Sequence, residues 1–263
     1  GLGMAPTVSP GARGGDEGAG ATSIVLLEGI ARDYAWGSTV EIQRLLGREP
    51  GGRPLAALWF GTHPDDPARV PALDTTLDQL IATDPVAALG ADTAERFGGQ
   101  LPFLLKLLAA DKPLSIQVHP TRAQAEAGFA AEDARGVPRD APNRNYRDRN
   151  HKPELLCALT DFEALCGFRP VAHTLRLLEA FDLPELDPVR DLLAGPDALR
   201  AAFTYLLTLP EPEPLVTAVT ARAAAITETQ WSGAAGAATR AATAFPGDVG
   251  AVLTLRLNHG RLQ

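Results

Sequence analysis

Residues 112–120 read KPLSIQVHP, and this stretch contains the strongest candidate functional residues of the sequence. Its short apolar run predicts a strand. On a strand, side chains two residues apart point the same way, so Ser115, Gln117 and His119 would share one face. A glutamine carbonyl oxygen and an imidazole nitrogen that converge there have the chemistry to hold a metal ion. The spacing leaves open a simpler alternative, a core histidine hydrogen-bonded to a polar neighbour.

A second polar cluster, NHKPE at residues 150–154, opens the apolar run ELLCALT. A carboxylate such as Glu154 is costly at the start of a buried strand unless it is paired or bound to a metal. Lys152 lies two residues earlier, on the same face if the strand extends past Pro153. The alternative is a surface salt bridge between Lys152 and Glu154.

A competing metal cluster lies in WFGTHPDD, where His63, Asp65 and Asp66 follow one another closely. Pro64 and Pro67 instead predict a turn, and turn aspartates usually bond to the backbone. We therefore rank this cluster below the first.

The loop of residues 135–152 is rich in arginine. It carries six basic residues against two acidic ones, a local charge of +4. Such a loop is most often a solvated surface. In an acidic protein it is also a patch that attracts an anionic substrate such as a phosphate ester.

Composition excludes several classes of protein. The net charge of −8 argues against a nucleic-acid binder, which needs a basic surface. No apolar run approaches the ~18 residues of a membrane span, and no signal core follows the N-terminus. Two cysteines, both in predicted strands, are expected to be buried thiols rather than a disulfide framework. We expect a soluble, cytoplasmic monomer with no nucleic-acid or membrane partner.

Outside these clusters, the pattern predicts a disordered tail over residues 1–22 and strands in SIVLLEGI, PLAALWF, LPFLLKLL and DFEALCGFRP. Capping-box spacing at Thr76/Gln79 and Thr121/Gln124 predicts two helix starts. Helical periodicity runs from Val171 to about Phe245. In GAVLTLRLN, apolar and polar residues alternate, which predicts a returning strand.

Five runs together resemble the type I phosphomannose isomerase family. They are YAWGS (34–38), LWFGTHP (58–64), LPFLLKLL (101–108), KPLSIQVHP (112–120) and RNYRDRNHKPELLCAL (144–159). The resemblance implies an α+β fold with a cupin-type, jelly-roll β-barrel core and a mainly helical insertion. We accordingly divide the chain into the tail, a metal-binding β domain over 23–170, a helical domain over 171–246, and a returning strand over 247–263.

The resemblance also implies a function and a site. The family is a zinc-dependent aldose–ketose isomerase that interconverts mannose 6-phosphate and fructose 6-phosphate through a cis-enediolate. By position, the Zn²⁺ ligands fall on Gln117, His119 and Glu154. Ser115 and Lys152 fall on positions that contact the phosphorylated hexose, and Lys152 is the candidate catalytic residue.

Two departures from the family pattern matter. Ala57 stands where the family usually has a glutamate. The sequence also ends at Gln263, before the segments that carry the family's fourth zinc ligand, a catalytic arginine and a second cupin domain. His259 does not match that ligand. The expected alternative is therefore an inactive or binding-only N-terminal fragment, and a second rival is an interaction module built on the helices.

Overall fold

The computed structural model describes residues 24–262 and divides the chain into two compact units, one ending at Asp111 and the other beginning at Lys112. The tail predicted over residues 1–22 lies outside the described residues. The domain boundaries inferred from sequence stay predictions. Helices and strands are both present, as expected of an α+β protein.

The first unit is built on a three-stranded antiparallel sheet of order β1-β2-β7. Its strands are β1 (Ile30–Arg32), β2 (Ala57–Phe60) and β7 (Leu105–Leu108). Central β2 places Ala57 and Leu58 in the core, and Leu58 packs with Ile42 of α1 (Glu41–Leu45). Ala57, which replaces the family glutamate, is thus a buried sheet residue.

Short elements complete this unit. They are two hairpins, β3 (Thr62–His63) with β4 (Asp66–Pro67) and β5 (Arg69–Val70) with β6 (Thr75–Thr76), and three helices, α2 (Leu77–Thr83), α3 (Pro85–Leu89) and α4 (Ala91–Arg96). The helix predicted after Thr76 is confirmed, but its capping box is wrong. The Thr76 side chain makes no cap bond, and Gln79 Oε1 instead accepts a 2.9 Å hydrogen bond from Thr75 Oγ1.

The second unit is mostly helical. Its helices are α5 (Arg122–Ala134), α6 (Val171–Phe181), α7 (Asp187–Ala194), α8 (Ala198–Leu207), α9 (Glu213–Ala224), α10 (Thr229–Ala244) and α11 (Gly250–Leu253). Helix α10 packs on α9 through small residues, because its buried side chains are Trp231 and five alanines. No helix among residues 24–262 has the length and apolar content to cross a membrane.

The strand predicted over GAVLTLRLN is wrong in its first part. That stretch forms α11 and a 3-10 turn, Thr254–Arg256, and the strand β9 (Leu257–Leu262) begins only afterwards. Every residue from Ala251 to Arg256 is buried, so the alternation does not divide a core face from a solvent face. Strand β9 pairs antiparallel with β8 (Phe162–Phe168).

Two further strands predicted from sequence are not formed. PLSIQVH and ELLCALT belong to no sheet, and within the described residues no backbone hydrogen bond joins either run to another segment. Both cysteines, Cys157 and Cys166, are exposed free thiols, which corrects their predicted burial. Cys157 is exposed because its run lacks neighbouring strands, and β8, which carries Cys166, pairs with β9 alone.

Arg256 is the most unusual core residue. Its side chain is 1% exposed, and none of its three guanidinium nitrogens has a hydrogen-bond partner among residues 24–262. Burial lowers the pKa of the guanidinium, because removal from water disfavours its charged form. A buried, unpaired cation destabilises the fold that contains it.

Replacing Arg256 by an unbranched apolar side chain is therefore expected to stabilise the chain. Arg256→Met should raise the free energy of unfolding by about 1–4 kcal/mol, measured by urea denaturation. The matched control, Arg176→Met on the exposed side of α6, should change it by less than about 0.5 kcal/mol. Equal or lower stability of Arg256→Met would show that the guanidinium has a partner in solution.

Candidate metal and substrate site

Three polar side chains converge in the second unit. Gln117 Oε1 lies 3.4 Å from His119 Nε2, and His119 Nε2 lies 3.8 Å from Glu154 Oε2. Although residues 113–119 form no strand, the alternate residues Gln117 and His119 still meet, as their spacing predicted. Glu154 reaches them from a segment 35 residues further along the chain.

These spacings fit a shared metal ion. Two nitrogen or oxygen donors, each about 2.1 Å from a tetrahedral zinc, lie about 3.4 Å apart. The observed 3.4 and 3.8 Å separations are close to that value. An amide oxygen, an imidazole and a carboxylate are also donors that zinc accepts. The residues present therefore fit the group.

Lys152 stands beside this cluster. Its Nζ atom lies 3.8 Å from Glu154 Oε1, so the two oxygens of Glu154 face different partners, one His119 and the other Lys152. The Lys152 and Glu154 side chains are each about half exposed. Ser115 is exposed two residues before Gln117, and nothing within residues 24–262 hydrogen-bonds to its hydroxyl. The structure thus brings four of the five predicted site residues together.

Helix α5 follows His119 almost at once. Thr121 caps it in a true capping box, with Gln124 N donating to Thr121 Oγ1 and Thr121 N donating to Gln124 Oε1. Pro120 is the single residue between His119 and the cap. The start of the helix therefore fixes the segment that carries Gln117 and His119, and this capping prediction is confirmed.

The chain then turns back along α5 and is held near the helix end. The Glu132 carboxylate accepts hydrogen bonds from the backbone N–H groups of Asn145 (3.1 Å) and Tyr146 (2.8 Å). Arg144 Nε lies 3.1 Å from Glu132 Oε2, and both side chains are almost fully buried. The backbone N–H bonds are the main cause that lowers the pKa of Glu132, with Arg144 adding to the effect.

Arg144 also closes the loop itself. Its guanidinium donates to the carbonyl oxygens of Val137 (2.6 Å) and Tyr146 (2.7 Å), and to Asp133 Oδ1 (2.9 Å). The side chain thus links the start of the loop at Val137, a later part of the loop at Tyr146, and the helix.

Two other arginines of this loop, Arg139 and Arg149, also contact α5. The guanidinium carbons of Arg139, Arg144 and Arg149 all lie 4.9–5.1 Å from the ring centroid of buried Phe129. Cation–π contacts of this kind hold a loop against a helix. Much of the basic patch predicted to attract anions is therefore structural.

The competing cluster at His63 does not form a metal site. Asp66 is ion-paired with Arg32, and His63 Nδ1 accepts a hydrogen bond from Asp65 N. Across residues 24–262, no group of three or more His, Cys, Asp or Glu side chains is arranged to hold a metal. The cluster of Gln117, His119 and Glu154 is not a group of that kind, because one of its three donors is the side-chain amide of a glutamine.

The aromatic ring of Trp59 has a separate environment in the first unit. Arg32 lies 4.2 Å and Lys106 Nζ 4.9 Å from the ring centroid, and the His63 ring is 5.0 Å away. Trp59 is half-buried, so its ring lies at the surface of the sheet and not in the apolar core.

The sequence did not reveal Glu132, Tyr146 or Gly128 as members of this arrangement. A Cβ atom at Gly128 would overlap the Tyr146 ring, so the loop lies directly against the helix there. One signal was available, since a carboxylate in the last turn of a helix opposes the helix dipole. A carboxylate in this position is expected to have a stabilising hydrogen-bond or charge partner elsewhere in the fold.

Comparison with known proteins agrees with these motifs. The family model described as phosphomannose isomerase type I, catalytic domain, matches residues 24–171. The mannose-6-phosphate isomerase of Escherichia coli (strain K12) is 44% identical over 185 residues, which are 68% of this chain and 46% of that protein. That of Ogataea parapolymorpha is 34% identical over 262 residues, 88% of this chain and 58% of that protein.

Solved structures give the same result. The apo form of mannose 6-phosphate isomerase from Salmonella typhimurium matches with a TM-score of 0.80 and 35% identity, over 90% of this chain and 60% of that one. The structure of that enzyme bound to fructose 6-phosphate and zinc matches with a TM-score of 0.79 and 34% identity, over 90% and 61%.

This chain spans about half the length of the curated relatives it matches. Because the family model covers more than half of the chain, the chain belongs to the type I phosphomannose isomerase family.

Proposed function

We propose that this chain carries the metal centre and part of the substrate site of a mannose-6-phosphate isomerase, which interconverts mannose 6-phosphate and fructose 6-phosphate. The observation that carries the proposal is the convergence of Gln117, His119 and Glu154 within 3.4 and 3.8 Å. Support comes from the relatives of that name and from a neighbour solved with fructose 6-phosphate and zinc.

Gln117, His119 and Glu154 would hold the Zn²⁺. A neutral amide, a neutral imidazole and one carboxylate leave the centre with net positive charge. When bound, zinc supplies Lewis-acid polarisation of the sugar's carbonyl and hydroxyl oxygens. The resemblance implies a fourth protein ligand in the family, so these three donors would form part of that ligand set.

Lys152 and Ser115 would act on the substrate directly. An aldose–ketose interconversion moves a proton between C1 and C2 of the sugar, which requires a group that accepts and returns it. Lys152 Nζ, 3.8 Å from Glu154 Oε1, stands at the edge of the metal centre and would hold that proton or an anionic oxygen. The exposed Ser115 hydroxyl would donate to a substrate oxygen.

The finer fold assignment is also a proposal. We infer a cupin-type, jelly-roll core for this chain, in which residues 113–119 and 155–159, unpaired in this structure, would be strands. Both runs carry exposed apolar side chains, of which Val118 (85%) and Leu155 (90%) are the most exposed, and such residues normally pack in a core. The monomeric state and the cytoplasmic location stay predictions.

A second candidate function is metal binding without turnover. It requires only the three donors of the cluster, separated by 3.4 and 3.8 Å, whereas turnover also requires a complete substrate site. The two candidates share the metal centre and differ in catalysis, so metal content and activity must be measured on one sample.

Loss of the imidazole is expected to remove the metal. Purified wild-type chain should hold close to one zinc per chain, and His119→Ala should weaken zinc affinity by more than about 100-fold. Elemental analysis and chelator competition measure both. The matched control, His173→Ala on an exposed position of α6, should keep its zinc. Equal zinc in wild type and His119→Ala would reject the centre.

Loss of the Lys152 ammonium is expected to stop catalysis and spare the metal. Lys152→Met should lower kcat by about 10²–10⁴-fold in a coupled assay of fructose 6-phosphate formation, with zinc content unchanged. Arg200→Met, exposed on α8, is the control and should keep its activity. Full activity of Lys152→Met would exclude its role, while zinc-loaded wild type without turnover would establish the second candidate.

A further inference from the structure

We propose that the buried Glu132–Arg144 pair is a positioning device for the metal centre, which holds the Arg-rich loop on α5 so that Glu154 is presented to Gln117 and His119. The inference rests on the proposed metal centre and adds residues that lie outside it.

The position of Glu132 is unfavourable for the stability of its own helix. It lies in the last turn of α5, where the negative end of the helix dipole disfavours a carboxylate, and its side chain is 3% exposed. What compensates for this placement comes from the loop, namely two backbone N–H groups and the Arg144 guanidinium. Its role is therefore to bind the loop rather than to stabilise the helix.

The contacts run along the helix toward the metal ligands. Tyr146 is bonded at Glu132, its ring lies against Gly128, and Arg149 reaches the ring of Phe129. Gly128 and Phe129 lie nearer than Glu132 to the start of α5, where His119 is located. The loop therefore travels back along α5, and Glu154 follows five residues after Arg149.

The size of the effect follows from chain statistics. Without the link, Glu154 lies 20 residues beyond the end of α5 at Ala134, whereas with Tyr146 fixed to α5 the flexible segment is eight residues. Loop-closure probability scales as the −3/2 power of length, so the link raises the local concentration of Glu154 by about fourfold. Breaking it should weaken metal affinity by about fourfold without changing the ligands.

The experiment compares Glu132→Gln with Glu126→Gln in the full chain. Glu126 is exposed on the same helix, so it provides the identical chemical change without the loop contacts. Zinc affinity is measured by competition with a chromophoric chelator, and the absorption spectrum of the Co²⁺-loaded protein reports the ligand set. Hydrogen exchange of the metal-free protein reports how firmly residues 147–154 are held.

We expect Glu132→Gln to lose about fourfold in zinc affinity, to keep the wild-type cobalt spectrum, and to exchange faster over residues 147–154. Glu126→Gln should match wild type in all three. Wild-type affinity in a folded Glu132→Gln protein would overturn the inference.

A double variant guards against simple loss of stability. Glu132→Leu/Arg144→Met replaces the buried pair by apolar side chains, which usually preserves or raises stability. It should melt at or above the wild-type temperature and still bind zinc about fourfold more weakly. Recovery of affinity together with stability would show a merely structural pair. A wild-type chain that bound no zinc would overturn the proposed metal centre, and this inference with it.

Discussion

The guanidinium of Arg144 is the interaction on which the second unit's site depends. It is fully buried, yet it satisfies two loop carbonyls, two carboxylates and the face of Phe129. A buried charge is tolerated only with such complete pairing. Because its partners belong to α5 and to two points of one loop, Val137 and Tyr146, their positions are coupled, and the segment that carries Lys152 and Glu154 starts from a fixed point.

Local patterns predicted local features well. The capping box at Thr121 and Gln124 is present, and the two-residue spacing of Gln117 and His119 brings their donors together. At Thr76 and Gln79 the same spacing failed, because Gln79 is bonded to the Thr75 hydroxyl instead. Whether a capping box forms depends on which neighbouring group hydrogen-bonds to the glutamine side chain, and the sequence does not show this.

Tertiary features could not be predicted from the sequence, for a different reason. The alternation around Leu253 and Leu255 predicted a strand, but this stretch is buried on all sides, so the polar positions, Arg256 included, are also core. Likewise, an arginine-rich loop has the composition of a solvated surface, although Arg144 is buried within it. Burial of charge depends on partners distant in the chain, which periodicity cannot reveal.

The unpaired runs around Val118 and Leu155 have a consequence for the behaviour of the chain in solution. An extended segment with free backbone groups and exposed apolar side chains is a template on which another strand can add. Charge alone, −8 overall, protects the chain only weakly at such a site, because repulsion between exposed charges is screened within about 8 Å at physiological salt. Aggregation of this protein is therefore expected to begin at these two unpaired runs, beside Gln117, His119 and Glu154, and to depend on concentration and salt.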